Sequence, residues 1–191
     1  MQIVISGTHA SGKSTLISDF AMRHREFIVL PDAFELLDEA WDRPGAGMFA
    51  AQLGISAARL APDDASECAS DRIAERGPID FLAYLLALEE ITRISLDGDL
   101  LERARAVTAE ALSHVDLLVA LPLMREDALA PGPEEHPELR AAMNDALLDL
   151  LGDAELLGAA TRVAEVAGDP AHRCSSLESL VSEWRASNPW P

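Results

Sequence analysis

Gly7-Thr8-His9-Ala10-Ser11-Gly12-Lys13-Ser14-Thr15 satisfies the spacing G-x-x-x-x-G-K-[ST], and the chemistry of that spacing is phosphate binding. Glycines at 7 and 12 permit backbone angles and close approaches that a Cβ would block. The N–H groups of the loop then converge on phosphate oxygens, reinforced by the positive end of the helix that follows. Lys13 can reach the outer phosphates of a triphosphate, and the Ser14 hydroxyl suits Mg²⁺. The apolar run Ile3-Val4-Ile5 precedes the loop, and Leu16, Ile17, Phe20 and Ala21 follow it at helical spacing. Residues 7–15 are therefore expected to hold ATP with Mg²⁺.

Further residues capable of chemistry recur at the ends of apolar runs. Asp32 follows Glu26–Leu30 and Pro31, and Glu75-Arg76 closes Arg72-Ile73-Ala74 before Gly77-Pro78. Arg125 lies beyond Val115–Leu121, and Gly168-Asp169-Pro170 with Arg173 lies beyond Thr161–Ala167. Phosphoryl transfer needs neutralised charge at the transferring group and a positioned acceptor. Lys13 and Arg76 supply the first, and a carboxylate able to take a hydroxyl proton supplies the second. Asp32 is the expected base, with Glu35 in reserve; Asp32 also fits a helix cap, and the two roles are compatible. Glu75 is expected to serve Mg²⁺ together with Ser14. Asp80 reads as a helix cap, and Asp116, near the start of its run, as structural.

These residues need a frame. The pattern predicts strands at 2–6, 26–30, 72–75, 115–121 and 161–167, and helices at 13–24, 33–41, 48–60, 81–91, 98–113, 137–151 and 175–185. The run 115–121, apolar apart from Asp116, suits a strand covered on both faces. Strands alternating with helices imply a parallel sheet between two helical layers. In such sheets ligands gather beyond the carboxyl ends of the strands, where these polar residues fall. Residues 122–140, rich in proline and acid, read as a lid segment. No internal repeat or linker divides the chain, so 1–191 is expected to be one domain.

The chain resembles the nucleoside and nucleotide kinase branch of P-loop proteins: deoxynucleoside, thymidylate and nicotinamide riboside kinases. The resemblance runs from residue 1 to about 180 in the order of elements. It rests on the loop at 7–15, Pro31-Asp32, Glu75-Arg76-Gly77-Pro78-Ile79-Asp80, the arginine after the fourth strand and Gly168-Asp169-Pro170. It implies a three-layer α/β/α fold with a five-stranded parallel sheet in the order 2-3-1-4-5 and a small lid. Asp32 then matches the acidic residue at that strand end, and Glu75-Arg76 the carboxylate–arginine pair that assists Mg²⁺ and phosphate. Gly168 and Arg173 match the turn that holds adenine, and an ordinary turn reads equally well. Arg125 and Arg140 match lid arginines that close over phosphates, with Arg140 also readable as a helix-surface charge. Gln52 resembles the glutamine that reads the base; a solvated helix glutamine is the plain alternative. The lid departs from the group in lacking a run of arginines. An ATPase or regulatory switch acting on a protein partner is the alternative, but an acid at the end of the fourth strand is missing, since Leu121-Pro122 stands there.

Bulk numbers narrow the partners. With 15 Lys plus Arg against 33 Asp plus Glu, the net charge is −18, which repels nucleic-acid polymers and anionic membranes. Two cysteines are too few for a disulfide framework, and no apolar stretch approaches the ~20 residues of a membrane span. A cytoplasmic protein is expected, acting on a small nucleoside- or nucleotide-like acceptor. With few phosphate-gripping arginines (Arg43, Arg59, Arg76), a neutral hydroxyl is favoured over a monophosphate. The apolar helices at 81–91 and 98–113 offer a possible homodimer face.

Overall fold

The computed structural model describes residues 1–33, 45–62, 70–123, 136–158 and 160–188. Five parallel strands form one sheet: β1 (Gln2–Ser6), β2 (Ile28–Leu30), β3 (Arg72–Glu75), β4 (Leu117–Ala120) and β5 (Arg162–Glu165). Their order is β2-β3-β1-β4-β5, and Ile3 pairs with Ile73 on one side and Leu117 on the other. β1 and β3 have the expected bounds, β2 starts two residues later than expected, and β4 and β5 are trimmed at both ends.

Side chains alternate across a strand, so neighbouring residues serve different layers. Ile3, Ile5, Ile73, Leu117 and Val119 pack with Leu16, Ile17 and Phe20 of α1 (Lys13–Arg23) and Leu177 and Val181 of α7 (Pro170–Ser187). Val4, Ala74 and Leu118 face the opposite layer. That layer contains α2 (Ala46–Leu60), α3 (Pro78–Thr92), α4 (Gly98–Leu112), α5 (Pro137–Leu150) and the single turn α6 (Ala154–Leu157). The result is the expected three-layer α/β/α frame. Central β1 and β4 are buried almost throughout, whereas edge strands β2 and β5 are half open to solvent.

Several boundaries differ from expectation. The last helix starts at Pro170, not 175, because Asp169 caps it by accepting the His172 amide at 2.9 Å, with Pro170 in its first turn. Likewise α3 starts at Pro78 rather than 81. Residues 137–140, which fell both in the expected lid and in the helix expected at 137–151, form the first turn of α5; residues 124 to 135, with Arg125, lie outside the described residues, as do Glu35, Arg43 and all but Ala33 of the helix expected at 33–41. α3 is apolar on all sides because its own chain covers it: Ile79 through Leu85 and Ala87 are buried among α2, α4 and α5. Its apolar length is thereby explained without a second copy. No helix among the described residues is long and apolar enough to cross a membrane.

Candidate active site

The tips of β1, β2 and β3 meet around a cavity of about 460 Å³ lined by His9, Ala10, Gly12, Lys13, Ser14, Asp32, Glu75 and Arg76. Of the expected loop residues, these include 9, 10, 12, 13 and 14. Gly7, Thr8 and Ser11 are buried beneath it, and Thr15 is exposed on α1.

The loop between β1 and α1 holds a backbone that few residues adopt. Ala10 has φ +53° and Gly12 φ +90°. A Cβ at Gly12 would stand 2.8 Å from Arg173 Nη1, and one at Gly7 would stand 2.9 Å from the Leu121 carbonyl oxygen. Four successive carbonyls of this loop accept from cationic side chains. Lys13 Nζ donates to Thr8 O at 2.8 Å, Arg140 Nε to His9 O at 2.9 Å, Arg140 Nη2 to Ala10 O at 3.3 Å, and Arg173 Nη1 to Ser11 O at 2.7 Å. Carbonyl dipoles, which would oppose an anion, are thus tied to positive charge, and the amides of α1's first turn remain for phosphate oxygens.

Arg140, 8% exposed on α5, is accordingly no helix-surface charge; Thr8 Oγ1 also donates to its carbonyl oxygen at 3.2 Å. Arg173, 5% exposed, lies against the loop backbone rather than on an open face beside Gly168. Gly168, φ +100°, is exposed just before the Asp169 cap.

Charges inside the cavity are paired closely. Arg76 Nη1 donates to Asp32 Oδ2 at 3.0 Å, and the Arg76 guanidinium lies 5.8 Å over the Tyr84 ring. Arg76 sits at φ +59°, the left-handed region that non-glycine residues seldom occupy outside functional turns. Burial pushes the Lys13 ammonium down to about 7, and the Arg76 guanidinium pushes the same way against Asp80, Glu75 and Asp32. An anion entering the cavity would relieve both cations.

Ser14 Oγ donates to Glu75 Oε1 at 2.8 Å, so a hydroxyl and a carboxylate stand together on the cavity wall. Hard oxygen donors of this kind fit Mg²⁺, which keeps waters and substrate phosphates as its other ligands. No group of three or more His, Cys, Asp or Glu poised to hold a metal occurs among the described residues.

Two features went beyond the expected set. Asp80, expected as the N-cap of its helix, stands instead at the third position of α3, whose N-cap is Gly77; its carboxylate accepts from Gly77 N at 2.9 Å, Ser6 Oγ at 2.7 Å and Gly7 N at 2.8 Å. Its position in the Glu75–Asp80 motif was the only sequence signal. Gln52 is buried on α2, its Oε1 without a hydrogen-bond partner. Nearby in sequence, Phe49 stacks on Tyr84 with centroids 4.8 Å apart.

No family profile and no curated protein matches the chain by sequence, but solved structures match its shape. Deoxyadenosine kinase from M. mycoides, solved with dCMP and dCDP, superposes with a TM-score of 0.66 over 96% of this chain and all of its own, at 13% identity. The fold is that of the P-loop nucleoside and nucleotide kinases. Thymidylate kinase from Candida albicans superposes with a TM-score of 0.64 at 18% identity, over 95% of this chain and 91% of that one. A NadR protein in complex with NR gives 0.65 at 16% identity, with 96% of this chain covering 51% of that protein.

Proposed function

We propose that the protein is an ATP-dependent phosphotransferase that moves the γ-phosphate of ATP to the hydroxyl of a small acceptor, a nucleoside or related metabolite. The observation that carries the reading is the Asp32–Arg76 pair, standing on the wall of the same cavity as Lys13 and Ser14. One strand tip offers a proton acceptor, the next a cation, and the loop a place for the triphosphate. Neighbours of the same fold support the nucleotide assignment: the deoxyadenosine kinase has been solved with dATP and a NadR protein with AMP-PNP.

In the proposed reaction the acceptor oxygen attacks the γ-phosphorus while its proton passes to the Asp32 carboxylate. The bond from that phosphorus to the bridging oxygen breaks, and ADP departs. Lys13 and the amides of the loop hold the negative charge of the tail, and Arg76 turns from Asp32 toward the transferring group. Mg²⁺, held by Ser14 and Glu75, would offset charge on the β- and γ-phosphates. The adenine end is assigned to the side where Gly168 precedes α7, because Arg173 of that helix reaches the loop. Arg125 is the proposed lid contact.

A hydroxyl acceptor that carries no phosphate is favoured. Arg59 donates to the Pro31 carbonyl oxygen and Arg76 to Asp32, so among the described residues the acceptor side presents Asp32 and Glu75 with both of these arginines engaged by the protein. A switch acting on a protein partner gains no support: β4 ends at Ala120 and is followed by Leu121 and Pro122, with no acid to position water.

The test is a panel of nucleosides, nucleotides and related hydroxyl metabolites, scored as ADP release above the acceptor-free rate. At least one unphosphorylated acceptor is expected to raise the rate well above baseline. Rates fixed at baseline for every acceptor, but raised by a protein partner, would favour the switch.

A further inference from the structure

Asp80 is fully buried, and both its oxygens accept hydrogen bonds. Oδ1 takes the amide of Gly7, the first residue of the phosphate loop, at 2.8 Å; Oδ2 takes the Ser6 hydroxyl at 2.7 Å and the Gly77 amide at 2.9 Å. Ser6 and Gly7 lead into the donor half of the cavity. Gly77 directly follows Arg76, whose positive φ sets the direction of the guanidinium in the acceptor half. Gly77 also lies close over β1, where a Cβ would stand 2.9 Å from Val4 Cγ1. A single carboxylate therefore links the two halves.

Among the described residues it is also the one carboxylate near Lys13 and Arg76 that is wholly enclosed, because Asp32 and Glu75 open onto the cavity. Burial pushes the Asp80 carboxyl up, while Arg76, the Gly7 amide, the Ser6 hydroxyl and Lys13 draw it down. Donors on both oxygens favour the ionised form.

We infer that Asp80 is a positioning residue of the transfer site, a buried strap that fixes the phosphate loop against the Glu75-Arg76 turn through Ser6, Gly7 and Gly77. This rests on the proposed nucleotide site and adds a residue that touches neither substrate. Asparagine would set an amide donor against one of the three donors, leaving a buried clash of like groups. Displacements of about 1 Å between reacting groups cost on the order of a hundredfold in rate.

The experiment compares wild type with Asp80→Asn, Ser6→Ala and the distant core variant Leu177→Ala. Calorimetry measures affinity for a non-hydrolysable ATP analogue with Mg²⁺, below each variant's own unfolding midpoint, and turnover is followed with the best acceptor of the panel. Asp80→Asn is expected to lose roughly tenfold or more in analogue affinity and about a hundredfold in kcat. Ser6→Ala, which removes one of three donors, is expected to lose severalfold in both. Leu177→Ala lowers the midpoint yet holds affinity within about twofold. If Asp80→Asn does not fold, Ser6→Ala decides. Affinity and kcat within twofold of wild type, or losses equal to those of Leu177→Ala, would overturn the strap. Wild type that binds the analogue but turns over no acceptor defeats the kinase reading and leaves the affinity comparison to decide on Asp80. Wild type that binds no analogue overturns both.

Discussion

Arg76 Nη1 stands 3.0 Å from Asp32 Oδ2, with the two side chains 2% and 13% exposed. The pair joins the tips of β2 and β3 and holds both groups on the cavity wall before any substrate arrives. In the proposed reaction, phosphate would draw Arg76 away and leave the carboxylate to accept a proton.

Asp32→Asn is expected to lower turnover by about 10²–10⁴-fold, the usual contribution of general base catalysis. Affinity for ATP analogue is expected to stay within about threefold, because the Asp32 carboxylate is bonded to Arg76 on the acceptor side. Steady-state kinetics and calorimetry on the same preparation check this. Unchanged turnover would remove Asp32 from the reaction.

Ser14 and Glu75 share a hydrogen bond on the wall expected to face Mg²⁺. Ser14→Ala and Glu75→Gln are each expected to raise the Mg²⁺ concentration for half-maximal turnover by about tenfold or more. Nucleotide affinity in EDTA is expected to change little. A Mg²⁺ titration matching wild type in both variants would separate these residues from the metal.

The Lys13 ammonium is held down at about 7 by burial and by Arg76. Between pH 7 and 10.5 the unfolded chain thus binds more protons at this residue than the folded one, so this group makes the nucleotide-free protein more stable as pH rises through that window. Nucleotide binding works in the other direction. A triphosphate favours charged Lys13, so binding takes up a proton and affinity falls as pH rises above 7, by up to about tenfold per pH unit. Calorimetry in two buffers of different ionisation heat checks the sign; proton release on binding would contradict it.

Arg140 and Arg173 hold the carbonyls of residues 9 to 11 from α5 and α7. Arg173→Met keeps much of the apolar stem but strands the buried Ser11 carbonyl, at a cost of about 1–3 kcal/mol in stability. Acting through the loop, the substitution is expected to weaken ATP and tripolyphosphate by the same factor. A loss confined to ATP would show that Arg173 serves the adenine instead.

The sheet and its polar tips were legible because strands buried on both faces read as continuous apolar runs, and because the loop at 7–15 has few other uses. Residues whose partners are distant in sequence were not. Arg140 and Arg173 looked like ligand-gripping arginines, and only the packing of α5 and α7 on the loop gives them backbone partners more than a hundred residues away. Asp80 read as the N-cap, but that place falls to Gly77 because α3 starts three residues earlier, and Ser6 and Gly7 reach the carboxylate only once β1 lies beside β3. The helices at 81–91 and 98–113 suggested a dimer face from composition; α3, the first of them, is covered by α2, α4 and α5 of its own chain. Local signals fix elements and tips, and tertiary partners decide what a buried charge does.

The central claim is that the γ-phosphate leaves ATP for an acceptor hydroxyl. Incubation with ATP labelled at that phosphate, Mg²⁺ and the best unphosphorylated acceptor, followed by separation of products, tests it directly. The label is expected in a phosphomonoester of the acceptor, formed in step with ADP and abolished by Asp32→Asn. Label appearing only in inorganic phosphate, at a rate indifferent to the acceptor, would contradict the account.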